Sequence, residues 1–250
     1  MVQIKTAAQI SLMREAGIIT GEALIIAGEA VRPGVTTKYL DDIIRRHIEK
    51  SGAVPSFLGY GGFPASACIS VNDQVIHGIP SDRVVLKDGD IVKIDVGAYY
   101  KGYHGDSANT FAVGEISPIA KKLIETTKES FYKGVEQIVQ GARLGDVGHA
   151  IQAHAEAAGF GVVRKYIGHG VGRNLHEDPE VPNYGTAGRG LRLREGMTFA
   201  VEPMINVGTP DVRELKDGWT VTTADGSLSA HYEHTLALTD NGVVLLTKVD

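Results

Sequence analysis

Two stretches of this chain carry the same residue pattern 107 positions apart, and that constrains the fold more than any other feature. The shift lays Gly34 on Gly141, Leu40 on Val147, Ile44 on Ile151, His47 on His154 and Gly52 on Gly159. Further on it lays Leu86 on Leu193, Gly89 on Gly196, Val92 on Phe199, Ile94 on Val201 and Asp95 on Glu202. One offset serves two separated blocks, so the chain reads as an internal repeat, about 8–113 and 115–240. Two like halves pack naturally about a pseudo-twofold axis, with their sheets meeting at the centre.

Each half reads as two helices and a small antiparallel sheet. The first opens with a long helix over about Ala7 to Ala30. Leu40, Ile43, Ile44 and Ile48 then recur at helical spacing, after Thr36/Thr37 caps and before Gly52. The second half starts at Ser117-Pro118, a capping serine with proline at the first helical position. Leu123, Thr127, Phe131, Val135 and Ile138 line one face there, and Val147, Ile151 and Ala155 repeat the second stripe. Ile91 to Val96 is rich in β-formers and follows the turn Asp88-Gly89. It is expected to pair with a strand from Asp106 to Val113, across a turn at Tyr99–His104. Thr198–Val201 and Tyr232–Leu238 play the same parts in the second half. The expected class is α+β, helices packed on a central, mostly antiparallel sheet. No Pro/Gly/Ser-rich linker divides the halves, so one domain over 1–250 is expected.

Composition excludes several functions. Hydrophobic residues are 43% and charged residues 22%, which suits a globular chain rather than a disordered or collagen-like one. The formal net charge of −5 comes with no basic runs, which argues against nucleic-acid or anionic-membrane binding. The single cysteine, Cys68, rules out an intrachain disulfide or a Cys-rich zinc module. Met1–Lys5 lacks the charged start and apolar run of a signal peptide, and Glu22 and Glu29 interrupt the most apolar early stretch. These features point to a cytoplasmic protein that makes no use of a membrane.

The repeat pairs Asp95 with Glu202, each in an otherwise apolar strand. A carboxylate buried there needs a cation, a proton or strong hydrogen bonds. Asp106 and Glu233 sit on the next strand of each half, so four carboxylates converge. Their repulsion calls for a metal, and four carboxylates can hold two divalent ions if two of them bridge. Gly168-His169-Gly170-Val171-Gly172 permits close backbone approach. It is not a dinucleotide fingerprint, lacking the flanking strand and helix, and no Walker A motif occurs. His176 follows His169, and His77 lies in Val75–Pro80.

These residues fall into a pattern. The chain resembles methionine aminopeptidase type I, of the pita-bread metallopeptidase superfamily, over nearly its whole length. The resemblance is carried by Gly59-Tyr60 with Phe63-Pro64, and by Cys68–Asn72 running into His77-Gly78-Ile79-Pro80. It continues in Ile94–Gly97, His104–Ser107, His169–Arg173, Glu202-Pro203-Met204 and Tyr232–Thr235. It implies the pita-bread fold and a ligand set of Asp95, Asp106, His169, Glu202 and Glu233. Asp106 and Glu233 would bridge two divalent ions, Asp95 would chelate one, and His169 with Glu202 would hold the other. Such a donor set suits Co, Mn, Fe or Zn. The ions would share a water and make a hydroxide nucleophile near neutral pH, with Glu202 able to relay the proton. His77 and His176 would contact substrate, one near the scissile nitrogen and the other at the carbonyl oxygen. Phe57, Tyr60, Phe63, Cys68, Leu175 and Trp219 would line the methionine pocket.

The implied reaction is removal of N-terminal methionine from nascent chains or peptides, including at the ribosome, when the second residue is small. The implied enzyme is a monomer. Leu175 stands where the family often has Phe, and His231 where Gln is common; neither is expected to touch the ligands. His104 and His234 neighbour ligands and are expected to support them by hydrogen bonds. His47, His149 and His154 read as structural, and Cys68 as a pocket wall rather than a nucleophile. Three rivals stand beside this reading. One is a proline-directed aminopeptidase or dipeptidase of the same fold, which would usually carry an extra N-terminal domain. The second is a non-catalytic binding protein on this fold, which should have lost ligands. The third is a phosphoesterase, for which Arg173 is the one nearby cation.

Overall fold

The computed structural model describes residues 1–249. In chain order its helices are α1 (Ala7–Ala30), α2 (Thr37–Lys50), α3 (Pro118–Val135) and α4 (Leu144–Ala157). The strands before α3 are β1 (Val54–Pro55), β2 (Ala67–Val71), β3 (Gln74–Ile76), β4 (Ile91–Tyr100) and β5 (Tyr103–Ala112). Those after α4 are β6 (Gly161–Val162), β7 (Gly168–Gly170), β8 (Glu177–Val181), β9 (Thr198–Val201), β10 (Met204–Asn206) and β11 (Val212–Glu214). The last are β12 (Val221–Thr223), β13 (Ser229–His231), β14 (His234–Thr239) and β15 (Gly242–Leu245).

The helix boundaries follow their caps. Thr6 and Gln9 close a capping box on α1, Thr36 accepts from the Tyr39 amide, and Ser117 accepts from the Ala120 amide ahead of Pro118. Leu40, Ile44 and Ile48 bury one face of α2, and Leu123, Phe131, Val147 and Ile151 do so in α3 and α4. Truncating one of these leucines or isoleucines to Ala would cost about 2–5 kcal/mol. Ile138 is buried as the stripe predicts, but α3 has already ended at Val135.

The repeat is repeated in the backbone. Gly34 N–H donates to the Leu86 carbonyl, and Gly141 N–H to that of Leu193. Leu86 N–H returns to Val35, and Leu193 N–H to Ala142. β1 pairs β4 with Val54 opposite Tyr99, and β6 pairs β10 with Gly161 opposite Asn206. All of these partners differ by the same 107. So does a histidine–glutamate contact between the helices of each half: His47 lies 3.2 Å from Glu22, and His154 lies 3.0 Å from Glu129. The two histidines are structural, as expected, though each has an acidic partner that its own helix does not supply.

β4 and β5 form one long hairpin. Its turn is tighter than the sequence suggests, only Lys101-Gly102, both with positive φ as a two-residue turn of this kind requires. β1 and β2 pair with the other edge of β4. Helix α1 packs against β4 and β5 at close range, since a Cβ on Gly105 would sit 2.8 Å from the Gly17 Cα. In the second half, the counterpart of β4 is broken into β9 and β10 by Glu202-Pro203. Proline has no amide hydrogen to continue the ladder. The strand opposite breaks at the same level, between β13 and β14. Val201 opposes His234 and Met204 opposes His231, so the register runs through the gap. The two halves join where Ala108 and Glu233 exchange main-chain hydrogen bonds of 3.3 and 2.9 Å.

Candidate metal centre

The register that crosses the gap places Glu202 opposite Glu233. Like charges directly across a sheet repel. In the first half the same position pair is Asp95 opposite Ala108. Asp106 lies diagonal to Asp95 on the next strand, opposite Gly97. The sheet junction at Ala108–Glu233 therefore brings four carboxylates together from both halves. Asp106, Glu202 and Glu233 are buried, and Asp95 is partly buried.

His169 comes from β7, a strand rather than the loop its glycines suggest. A Cβ on Gly168 would meet the Ala200 carbonyl at 2.4 Å, and one on Gly170 the Asp178 carbonyl at 2.2 Å. Those two glycines let β7 lie tightly between its neighbours and aim His169 inward. Its Nδ1 is 2.9 Å from the Gly170 carbonyl oxygen, which fixes the proton on Nδ1 and leaves Nε2 with its lone pair. Nε2 stands 3.6 Å from Asp106 Oδ2 and 3.5 Å from Glu202 Oε1.

The electrostatics of this cluster favour a bound cation. Burial, and then the charges of Asp106 and Glu202, push Asp95 well above the usual carboxylate range. Burial pushes Asp106 up to about 7, and burial with neighbouring charge raises Glu202 and Glu233 well up. Among the described residues no Lys or Arg forms an ion pair with any of the four; the basic side chains within 4 Å of them are the imidazoles of His169 and His231, both of which burial keeps neutral. Arg173 instead lies over the Tyr103 ring at 5.1 Å. Oδ1 of Asp95 and of Asp106 are buried without a hydrogen-bond partner. Unpaired acceptors of this kind cost several kcal/mol unless something positive fills the space. Ligand atoms of Asp106, His169 and Glu233 lie within 4.8 Å of one another, and so do those of Asp95, His231 and Glu233. Each of these groups could hold an ion and they share Glu233, and burial holds His169 down to about 3, in the neutral form a metal needs.

All thirteen residues singled out from the sequence line one cavity of about 350 Å³. His176 Nδ1 is 2.7 Å from the Tyr60 hydroxyl, and its ring lies 4.0 Å from that of His169. His77 stands edge-on to Tyr166 and Trp219, in a left-handed backbone conformation with φ 57°. Phe57, Phe63, Cys68 and Leu175 pack as one apolar cluster, with Trp219 edge-on to Phe63 at 5.1 Å. Cys68 opposes Asp95 across β2 and β4. Burial and then Asp95 raise its thiol well up, so it is a wall and not a thiolate.

Three sequence expectations need correcting. His231 does touch the ligands: its Nε2 is 3.7 Å from Glu233 Oε2 and 3.9 Å from Glu202 Oε2. His104 bonds Ser56 at 2.8 Å, and His234 bonds Thr247 at 2.8 Å. Neither hydrogen-bonds a carboxylate: His234 follows Glu233 directly and so faces the other way, while His104 shares the face of Asp106 but sits one pleat further along the strand, and each ring found a hydroxyl partner. Sequence reasoning also missed Ile76, Tyr166, Ile167 and Glu180 in the cavity wall. The position of Tyr166 just ahead of β7 was the one available signal.

The sequence matches the profile of Metallopeptidase family M24 over residues 11–240. It is 56% identical over 247 residues to the methionine aminopeptidase of Clostridium acetobutylicum, covering 99% of each chain. It is 51% identical to methionine aminopeptidase 1 of Bacillus subtilis, covering 100% of both. The fold matches the crystal structure of methionine aminopeptidase from Thermotoga maritima with TM-score 0.98, 46% identity and full coverage of both chains. It also matches the prolidase from Pyrococcus furiosus with TM-score 0.79 at 24% identity, a likeness of fold that spans 66% of that chain. With the profile covering most of its length and relatives above half identical, this chain belongs to metallopeptidase family M24.

Proposed function

We propose that this chain is a methionine aminopeptidase, a metallo-exopeptidase that hydrolyses the first peptide bond of chains beginning with methionine when the second residue is small. One observation carries the reading: four carboxylates and His169 meet at the floor of a cavity whose walls are Phe57, Phe63, Leu175 and Trp219. Asp95, Asp106, His169, Glu202 and Glu233 would hold two divalent ions. When bound, these supply Lewis acidity at the carbonyl and a water acidic enough to attack near neutral pH.

The chain's own side chains do the rest. The aromatic and thiol wall receives a flexible, polarisable thioether. The carboxylates receive the free α-amine, which limits the enzyme to chain ends. Burial lowers His77 to about 4 and also lowers His176, so both rings are neutral at pH 7. A neutral imidazole can donate to the scissile nitrogen's neighbourhood or to the carbonyl oxygen without repelling a cation beside it. The Tyr60 hydroxyl occupies His176 Nδ1 and leaves Nε2 for substrate. Glu202 is the carboxylate read as the proton carrier. The full reading is one domain over 1–250, a cytoplasmic monomer using Co, Mn, Fe or Zn, acting on nascent chains including at the ribosome. The single cysteine and mild acidity support the compartment.

The test is a peptide panel given to metal-loaded protein: Met-Gly-Met-Met, Met-Lys-Met-Met and an Xaa-Pro dipeptide. Methionine release from the glycine peptide alone is expected. Cleavage of the Xaa-Pro substrate in its place would transfer the chain to the proline-directed branch of the fold.

A further inference from the structure

We propose that His231 is itself a metal ligand, joining Asp95 and Glu233 around one of the two ions. The inference rests on the metal centre read above and extends its ligand set by one imidazole.

Three observations carry it. First, His231 is 1% exposed, and neither ring nitrogen has a hydrogen-bond partner among the described residues. A buried imidazole with both nitrogens unpaired is costly and calls for a partner. Second, the spacing is wrong for hydrogen bonds and right for a shared ion. Nε2 lies 3.7 Å from Glu233 Oε2 and 3.9 Å from Glu202 Oε2. Those separations exceed a hydrogen bond, while two donors each about 2.1 Å from one ion lie up to about 4.2 Å apart.

Third, His231 is the symmetry mate of a predicted ligand. In the hairpin of the first half Ile94 opposes Asn109, and in the second Val201 opposes His234. The second strand is thus displaced by 125 residues rather than 107, and Asp106 corresponds to His231. The hydrogen bonds agree. Thr235 Oγ1 donates to the Asp106 carbonyl at 2.8 Å and accepts the Asp106 amide at 2.9 Å. Thr110 Oγ1 does the same for His231, at 2.8 and 2.9 Å. Each threonine pins the main chain of its partner, so both side chains are presented to the junction in the same way. One half presents a carboxylate there and the other an imidazole. Two imidazoles in the set tilt preference toward Co, Fe and Zn and away from Mn.

The experiment is proton NMR of the cobalt(II)-loaded protein. A cobalt-bound histidine gives a hyperfine-shifted ring N–H signal that disappears in D2O. The wild type is expected to show two such signals, from His169 and His231, and folded His231→Gln only one. Cobalt affinity of that variant should fall at least about tenfold, since even outer partners of ligands cost that much, with a smaller fall for manganese. A cobalt-loaded wild type with one signal overturns the inference alone and needs no variant to fold. Unchanged signals and affinity in folded His231→Gln overturn it equally. A folded wild type that takes up no cobalt overturns the metal centre and this inference together.

Discussion

Glu202 facing Glu233 across the strand break is the contact that most needs an explanation, because two ionised carboxylates there repel unless a cation or a proton comes between them. Asp106 groups with His169 and Glu233 around one candidate ion, so Asp106→Asn should lose bound metal and activity together, read by metal analysis beside turnover. Full activity in that variant would end the dinuclear scheme. His176 is a different kind of residue, since it touches the cavity and Tyr60 but no carboxylate. His176→Ala should cut turnover about 100- to 1,000-fold and leave metal content intact; loss of metal instead would make it a ligand. His77 makes a prediction about pH. Burial, and then His176, lower it to about 4, against about 6.5 in an unfolded chain. Between those values the unfolded state binds more protons. Stability due to the neutral ring is therefore complete above about pH 6.5 and is lost as pH falls toward 4. His77→Asn, which tolerates the left-handed backbone, should flatten that fall in melting temperature of the metal-free protein. Parallel curves would mean that His77 titrates normally.

Two elements hold the cavity in shape. The first is the segment entering β8, where Glu177 follows His176. Its carboxylate pairs with Lys5 at 2.5 Å, both side chains 4% exposed, and accepts the Asn174 amide. Removing one partner of a buried pair strands the other, so Lys5→Met should cost about 3–5 kcal/mol. Thermal melting checks the size, and the double change Lys5→Met with Glu177→Gln should restore much of it. The second is the excursion holding β11 and β12, which carries Trp219 against Phe63 and His77. Trp219→Ala should lower the preference for methionine over smaller N-terminal residues by about tenfold or more. Unchanged selectivity would remove Trp219 from the pocket. The helices were legible because capping residues and 3.6-residue stripes are local signals. The strands around Asp95 were legible from β-branched runs. That β7 is a strand was not, because its three residues are held by tertiary packing that only glycines permit.

At the scale of the whole molecule, duplication made the fold legible and also hid part of the site. The offset of 107 is preserved from Gly34 to Asn206 through helices, caps and short strands, so Asp95 and Glu202 could be paired from sequence. Beyond Val207 the second hairpin makes a longer excursion, and the offset becomes 125. A single shift therefore could not show that His231 takes the place of Asp106. The individual roles of His77 and His176 were legible only through resemblance, since a lone histidine carries no periodic signal. The central claim is that the junction of the two halves is a metal centre that removes N-terminal methionine. The measurement that tests it most directly is methionine release from Met-Gly-Met-Met by chelator-stripped protein as metal is returned stepwise, with occupancy measured in the same samples. Release should be absent without metal and rise with occupancy. Release from stripped protein, or none at full occupancy of folded protein, would contradict the account.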